Sequence, residues 1–122
     1  MTQITGYRDL EEWKLSMKMA KDCYLVTRGF PKEELFGMTS QIRRSAASIP
    51  ANIAEGYGRD QLGEYVQFLR IAQGRLKELE THLLLCIDVG LAKPPALQPI
   101  IYECERIGRM LSAPIRKLKV QK

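Results

Sequence analysis

The stretch Tyr65 to Gly90, YVQFLRIAQGRLKELETHLLLCIDVG, decides the fold. Tyr65, Leu69, Ala72, Leu76, Leu79, Leu83 and Cys86 recur at alternating steps of four and three, which stacks them on one face of an α-helix. Asp60 is a candidate N-cap and Gly90 a stop, so the segment predicts a long helix over about 60–89. Leu83, Leu84, Leu85, Cys86 and Ile87 are consecutive and encircle that helix at roughly 100° per residue. One stripe cannot absorb them all, which leaves Leu84 and Leu85 for something outside the subunit core.

Three further segments carry the same period. Leu10, Trp13, Met17, Ala20, Tyr24 and Thr27 predict a helix over about 9–28, led by Asp9, Glu11 and Glu12 at the positive end of its dipole and ended near Gly29. Met38, Ile42, Ala46, Ile49, Ile53 and Tyr57 predict a second over about 35–57, with Glu33 and Glu34 at its start. The row stays in register past Pro50, so the proline lies inside one helix and leaves the Ala46 carbonyl without its usual partner. Leu97, Ile100, Cys104, Ile107 and Leu111 predict a fourth over about 96–119, with Pro114 expected to kink it or restart it from Ser112. No alternating strand pattern occurs, and short links force antiparallel packing. The expected architecture is all-α, an up-down-up-down antiparallel four-helix bundle in a single domain over residues 1–122.

Composition agrees. The chain has 122 residues, 45% hydrophobic and 27% charged, enough for a real core and unlike a disordered tail. Cys23, Cys86 and Cys104 are odd in number, far apart and set among aliphatic residues, so they read as core thiols in a reducing compartment. No apolar run approaches a membrane span, and Met1 to Arg8 lacks the pattern of a signal peptide. The expected location is cytoplasmic, with no membrane partner.

Catalysis needs converging titratable groups, and few are available. His82 is the only histidine, which excludes a two-histidine zinc site within one chain. Glu78, His82 and Cys86 share a helical face, but the di-iron bundles place Glu three residues before His, where this chain has Leu79. The glycines at 56 and 58 lack the strand and Lys-Ser pair of a phosphate loop. The expectation is a protein that is not an enzyme and holds no metal or cofactor.

Charge points elsewhere. The net charge is +5, and the segment from Arg106 onward holds six basic residues and no acid, leaving 13 basic against 14 acidic residues before it. Arg106, Arg109 and Arg116 share a face that Lys117 and Lys119 extend, a patch suited to sequence-independent contact with RNA or DNA backbone. No aromatic residue interleaves with this tail for base stacking. Gln41, Arg44, Ser45, Ser48, Asn52 and Glu55 form a short-chained polar strip on the second helix. The strip suits a structural role, bonding to carbonyls freed by Pro50 and to a neighbouring helix or subunit, while Arg43 and Arg44 offer a weaker anion site. Ala47, Ala51 and Ala54 lie off the core row and make a small-residue surface that, with Leu84 and Leu85, favours a homo-oligomer.

Four segments carry a family resemblance: Tyr7 to Lys14 (YRDLEEWK), Phe36 to Ala46 (FGMTSQIRRSA), Ser48 to Gly56 (SIPANIAEG) and Tyr65 to Ala72 (YVQFLRIA). Together they resemble the bacterial four-helix bundle proteins encoded in intervening sequences of 23S ribosomal RNA genes. The resemblance implies a helical bundle without enzymatic activity, assembled as a ring of five copies. The chain is also similar to the accessory bundle of diversity-generating retroelement reverse transcriptases. That likeness implies a possible reverse transcriptase partner and strengthens the case for nucleic-acid binding.

Overall fold

The computed structural model describes residues 3–120, with the side chains of Lys119 and Val120 outside the description. A 3-10 turn at Tyr7–Asp9 precedes α1 (Glu11–Thr27), and a second at Lys32–Glu34 precedes α2 (Met38–Tyr57). Two longer helices follow, α3 (Leu62–Asp88) and α4 (Pro94–Val120). Each helix packs against its neighbours in sequence, and α4 closes back on α1. The diagonal pairs α1/α3 and α2/α4 keep their backbones further apart, which makes an up-down-up-down four-helix bundle with no strand among the described residues.

Helix ends show local chemistry that the sequence reading placed differently. The Asp9 carboxylate accepts from the Thr5 amide and hydroxyl, both at 2.8 Å, and closes the first 3-10 turn ahead of α1. The Thr5 donors hold that carboxyl below its ordinary pKa. Glu33 and Glu34 precede α2, and Glu34 Oε1 caps it by accepting from the Met38 amide at 3.1 Å. Asp60 is not the N-cap of α3; Gln61 occupies that position without a side-chain bond. At the other end Gly90, with φ of 80°, allows a Schellman closure, in which Leu91 N donates to Cys86 O at 2.9 Å and Gly90 N to Ile87 O at 3.2 Å. Helix α4 starts at Pro94, whose missing N–H costs nothing in a first turn, and runs without a restart through Pro99 and Pro114. Helix α2 likewise continues through Pro50.

The core is the pooled apolar stripes. Ile42, Ala46, Ile49 and Ile53 of α2, Leu69 to Cys86 of α3, and Leu97, Ile100, Cys104, Ile107 and Leu111 of α4 are buried along their expected rows. On α1 the stripe is rotated from expectation. Ser16, Met19, Ala20, Cys23 and Thr27 face inward, whereas Met17 and Tyr24 are 46% and 43% exposed. Ser16 and Thr27 tolerate burial because each hydroxyl donates to a carbonyl of its own helix, Ser16 to Trp13 and Thr27 to Cys23. Among the described residues no helix is long and apolar enough to cross a membrane.

Three glycines on neighbouring helices have opposite surroundings. A Cβ built on Gly56 would stand 2.7 Å from the Phe68 Cβ, so α2 and α3 approach this closely only with glycine there. Around Gly74 and Gly108 a Cβ would meet nothing within 4 Å. Gly56→Ala is therefore expected to lower stability by roughly 1–3 kcal/mol through overpacking. Gly74→Ala and Gly108→Ala should each raise it by up to about 1 kcal/mol through helix propensity. Urea denaturation of the three variants checks the contrast, and equal shifts of one sign would contradict it.

Candidate nucleic-acid interface

The outer side of α4 carries Arg106, Arg109, Arg116 and Lys117, all exposed. The apolar row Leu97, Ile100, Cys104, Ile107 and Leu111 sets this orientation, since residues at the intervening steps must face water. Arg106 Nη1 lies 3.9 Å from Glu103 Oε1, a loose pair, and the other Glu103 oxygen is buried with no hydrogen-bond partner among the described residues. Arg109, Arg116 and Lys117 have no carboxylate partner among the described residues. The Lys119 side chain and Lys122 lie outside the described residues.

Arg109 also lines a groove of ≈ 670 Å³ between α3 and α4, beside Arg70 and Lys77. Gly74 and Gly108 open this groove by carrying no side chain. Gln73 bridges its floor, donating to Ser112 Oγ at 3.0 Å and to Gly108 O at 3.4 Å. Glu80 and Glu105 oppose part of the positive charge, and Lys77 sits 4.0 Å from Glu80. Arg70 and Lys77 come from α3 and were absent from the sequence reading, because only the α3/α4 packing brings them beside Arg109.

Arg43 and Arg44 stand apart from the α4 face, near the α1–α2 link. Arg43 lies with its guanidinium 4.9 Å above the Tyr24 ring and donates from Nε to Thr27 Oγ1 at 2.9 Å. Arg44 donates to Ser40 Oγ at 3.2 Å and is otherwise open. The polar strip faces a separate groove between α2 and α3, lined by Gln41, Arg44, Ser45, Ser48, Arg75 and Glu78.

Within the strip the hydroxyl protons are already engaged. Ser45 donates to Gln41 O at 2.9 Å, Ser48 to Ser45 O at 2.7 Å, and Asn52 to Ser48 O at 2.7 Å. The structure thus corrects the expected pairing. These side chains bond one turn back in their own helix, none reaches the Ala46 carbonyl or a neighbouring helix, and Glu55 pairs with Arg59 at 3.0 Å. Donors spent in this way hold no anion, so Arg44 and Arg75 are the cationic groups in that groove, and Glu78 lies 3.5 Å from Arg75.

The apolar candidates sit as expected on the outside. Leu84 and Leu85 are 46% and 45% exposed, Ala47 and Ala51 are exposed, and Ala54 is half-buried. Of the Glu78, His82 and Cys86 face, Glu78 is exposed, Cys86 is buried, and His82 Nε2 is buried with no hydrogen-bond partner among the described residues. No cluster of three potential metal-ligating side chains occurs among the described residues.

The three thiols are buried and reduced, and burial raises their pKa values, Cys23 to about 12 and Cys86 to about 11, with Cys104 raised further. A raised thiol is a poor nucleophile at neutral pH. The folded state keeps these protons while unfolded thiols release theirs from about pH 9, so stability is fully present below pH 9 and falls as pH rises above it. Native protein should react with a disulfide reagent at pH 8 only on the timescale of unfolding, and release three equivalents at once in guanidinium. Rapid reaction of any thiol in the native state would contradict this burial.

The family model described as 23S rRNA-intervening sequence protein matches residues 8–113. No curated protein matches the chain. Among solved structures, a protein of unknown function from the S23 ribosomal protein family of Bacteroides thetaiotaomicron is similar at 25% identity and a TM-score of 0.77. The match covers 85% of this chain and 97% of that one.

Proposed function

The chain belongs to the 23S rRNA-intervening sequence protein family, and on that footing we propose that it works without chemistry of its own, as an oligomeric bundle that holds RNA or DNA backbone. The observation that carries this reading is the outer side of α4, where Arg109, Arg116 and Lys117 are exposed and have no carboxylate partner among the described residues. Cations without a protein partner bind phosphate without first giving up an ion pair, and each contact releases condensed counterions. Arg106 extends the patch along the same helix, Lys119 adds to its charge in the sequence, and Arg43 and Arg44 add a weaker patch.

Assembly multiplies such a patch. Leu84 and Leu85 expose apolar surface that a monomer gains nothing by presenting, and the small strip of Ala47, Ala51 and Ala54 lets a second helix come close. We take the assembly to be a ring of five, the number the family resemblance implies, in the cytoplasm, where the buried thiols stay reduced. The same exposed leucines favour a second reading, in which the ring docks a protein such as a reverse transcriptase and its charge is secondary.

Reversing charge at Arg109, Arg116 and Lys117 together is expected to weaken binding to a ribosomal RNA fragment at least tenfold at low salt. It should also make the dependence of log affinity on log salt shallower by about 2–3. Unchanged affinity and slope would overturn the α4 assignment. Recovery of one protein partner after nuclease treatment, with no RNA affinity at low salt, would select the docking reading.

A further inference from the structure

We infer that the α1–α2 end of the bundle is a stacking site for an unpaired nucleobase, with Phe36 as its platform and Arg43 and Arg44 placed for the flanking phosphates. The inference rests on the polyanion reading above and adds to it a preference for single-stranded RNA or DNA.

Phe36 is 93% exposed, the most exposed large apolar side chain among the described residues. It contributes almost nothing to the core, so the fold gives no reason for an aromatic ring there. Beside it lies a shallow hollow of ≈ 400 Å³ whose lining joins Tyr24, Leu35 and Phe36 to Ser40, Arg43 and Arg44. The hollow therefore joins two exposed aromatic rings to two arginines, the combination that binds single strands through base stacking and backbone charge. This pairing of ring and cation is what the α4 tail lacks.

The cations are held in position before any ligand arrives. Thr27 is buried and donates its hydroxyl to Cys23 O at 2.7 Å, which leaves its oxygen to accept from Arg43 Nε at 2.9 Å. Arg43 Nη2 reaches Tyr24 O at 3.5 Å, and its Nη1 has no hydrogen bond among the described residues. The guanidinium is thus fixed on the Tyr24 ring with one edge turned outward. Ser40 steadies Arg44. Neither arginine pairs with a carboxylate among the described residues. Of the acids in the link, Glu34 is engaged by the Met38 amide, and Glu33 is exposed.

A base inside a duplex has both faces covered by its neighbours, so only an unpaired base can offer a face to Phe36.

The test measures fluorescence anisotropy of a short labelled oligo(A) RNA, the same sequence as DNA, and each annealed to its complement, at low salt. Wild-type protein should bind the single strands more tightly than the duplexes. Phe36→Ala should weaken single-strand binding about tenfold and leave duplex binding unchanged, and Phe36→Trp should restore the single-strand affinity. Since the ring is almost wholly in water, both variants are expected to fold, which circular dichroism verifies. Equal weakening on both forms, or no change on either, would overturn the stacking site while leaving backbone contact intact. No binding of any oligonucleotide by the wild type would overturn the polyanion reading itself and point to a protein as the occupant of this end.

Discussion

Four apolar stripes must be hidden against one another, and every other feature of the molecule depends on that constraint. The stripes of α2, α3 and α4 meet along rows of aliphatic residues, and the α2/α3 seam is close enough that Gly56 admits no side chain beside Phe68. Once those rows face inward, helical geometry assigns each remaining residue to a seam between helices or to the outside. The basic side of α4 faces water for this reason, and so does the apolar surplus at Leu84 and Leu85.

Polar groups at the edge of the core act as braces. Thr27, Ser45 and Ser48 return their hydroxyl protons to their own helices, which satisfies buried oxygen without recruiting a neighbour. Gln73 links α3 to α4 across the gap left by two glycines, and Thr27 passes its order on to Arg43. Side chains held in this way lose little freedom when a ligand binds, so the positions of Arg43 and Arg44 are largely set in advance.

The rows of α2, α3 and α4 were legible in the sequence because each is long and strongly periodic. The row of α1 was not, since its inward positions include Ser16 and Thr27, and a reading by hydropathy turns the helix toward Met17 and Tyr24 instead. Local hydrogen bonds that rescue a buried hydroxyl leave no trace in composition. Arg109 was visible as part of a charge run, but its neighbours Arg70 and Lys77 needed the fold to bring them there. Phe36 was quoted only within a family resemblance, and its exposure is a property of the packed link. The strip from Gln41 to Glu55 was expected to bond to the carbonyl freed by Pro50 and to a neighbour, whereas its bonds run back within α2, a local choice that residue spacing alone does not reveal.

Arginines in this bundle fall into two populations. Arg59 and Arg75 are committed to carboxylates on their own or adjoining helices, and Arg106 leans loosely on Glu103. Arg8, Arg28, Arg43, Arg44, Arg70, Arg109 and Arg116 have no such partner among the described residues. If the unpaired cations are the working surface, a polyanion should cover them and leave the paired ones untouched. Arginine-selective modification read by mass spectrometry, with and without a ribosomal RNA fragment, asks this residue by residue. Protection of Arg43, Arg44, Arg109 and Arg116, with Arg59 and Arg75 unchanged, is the pattern expected; uniform protection, or none, would contradict it.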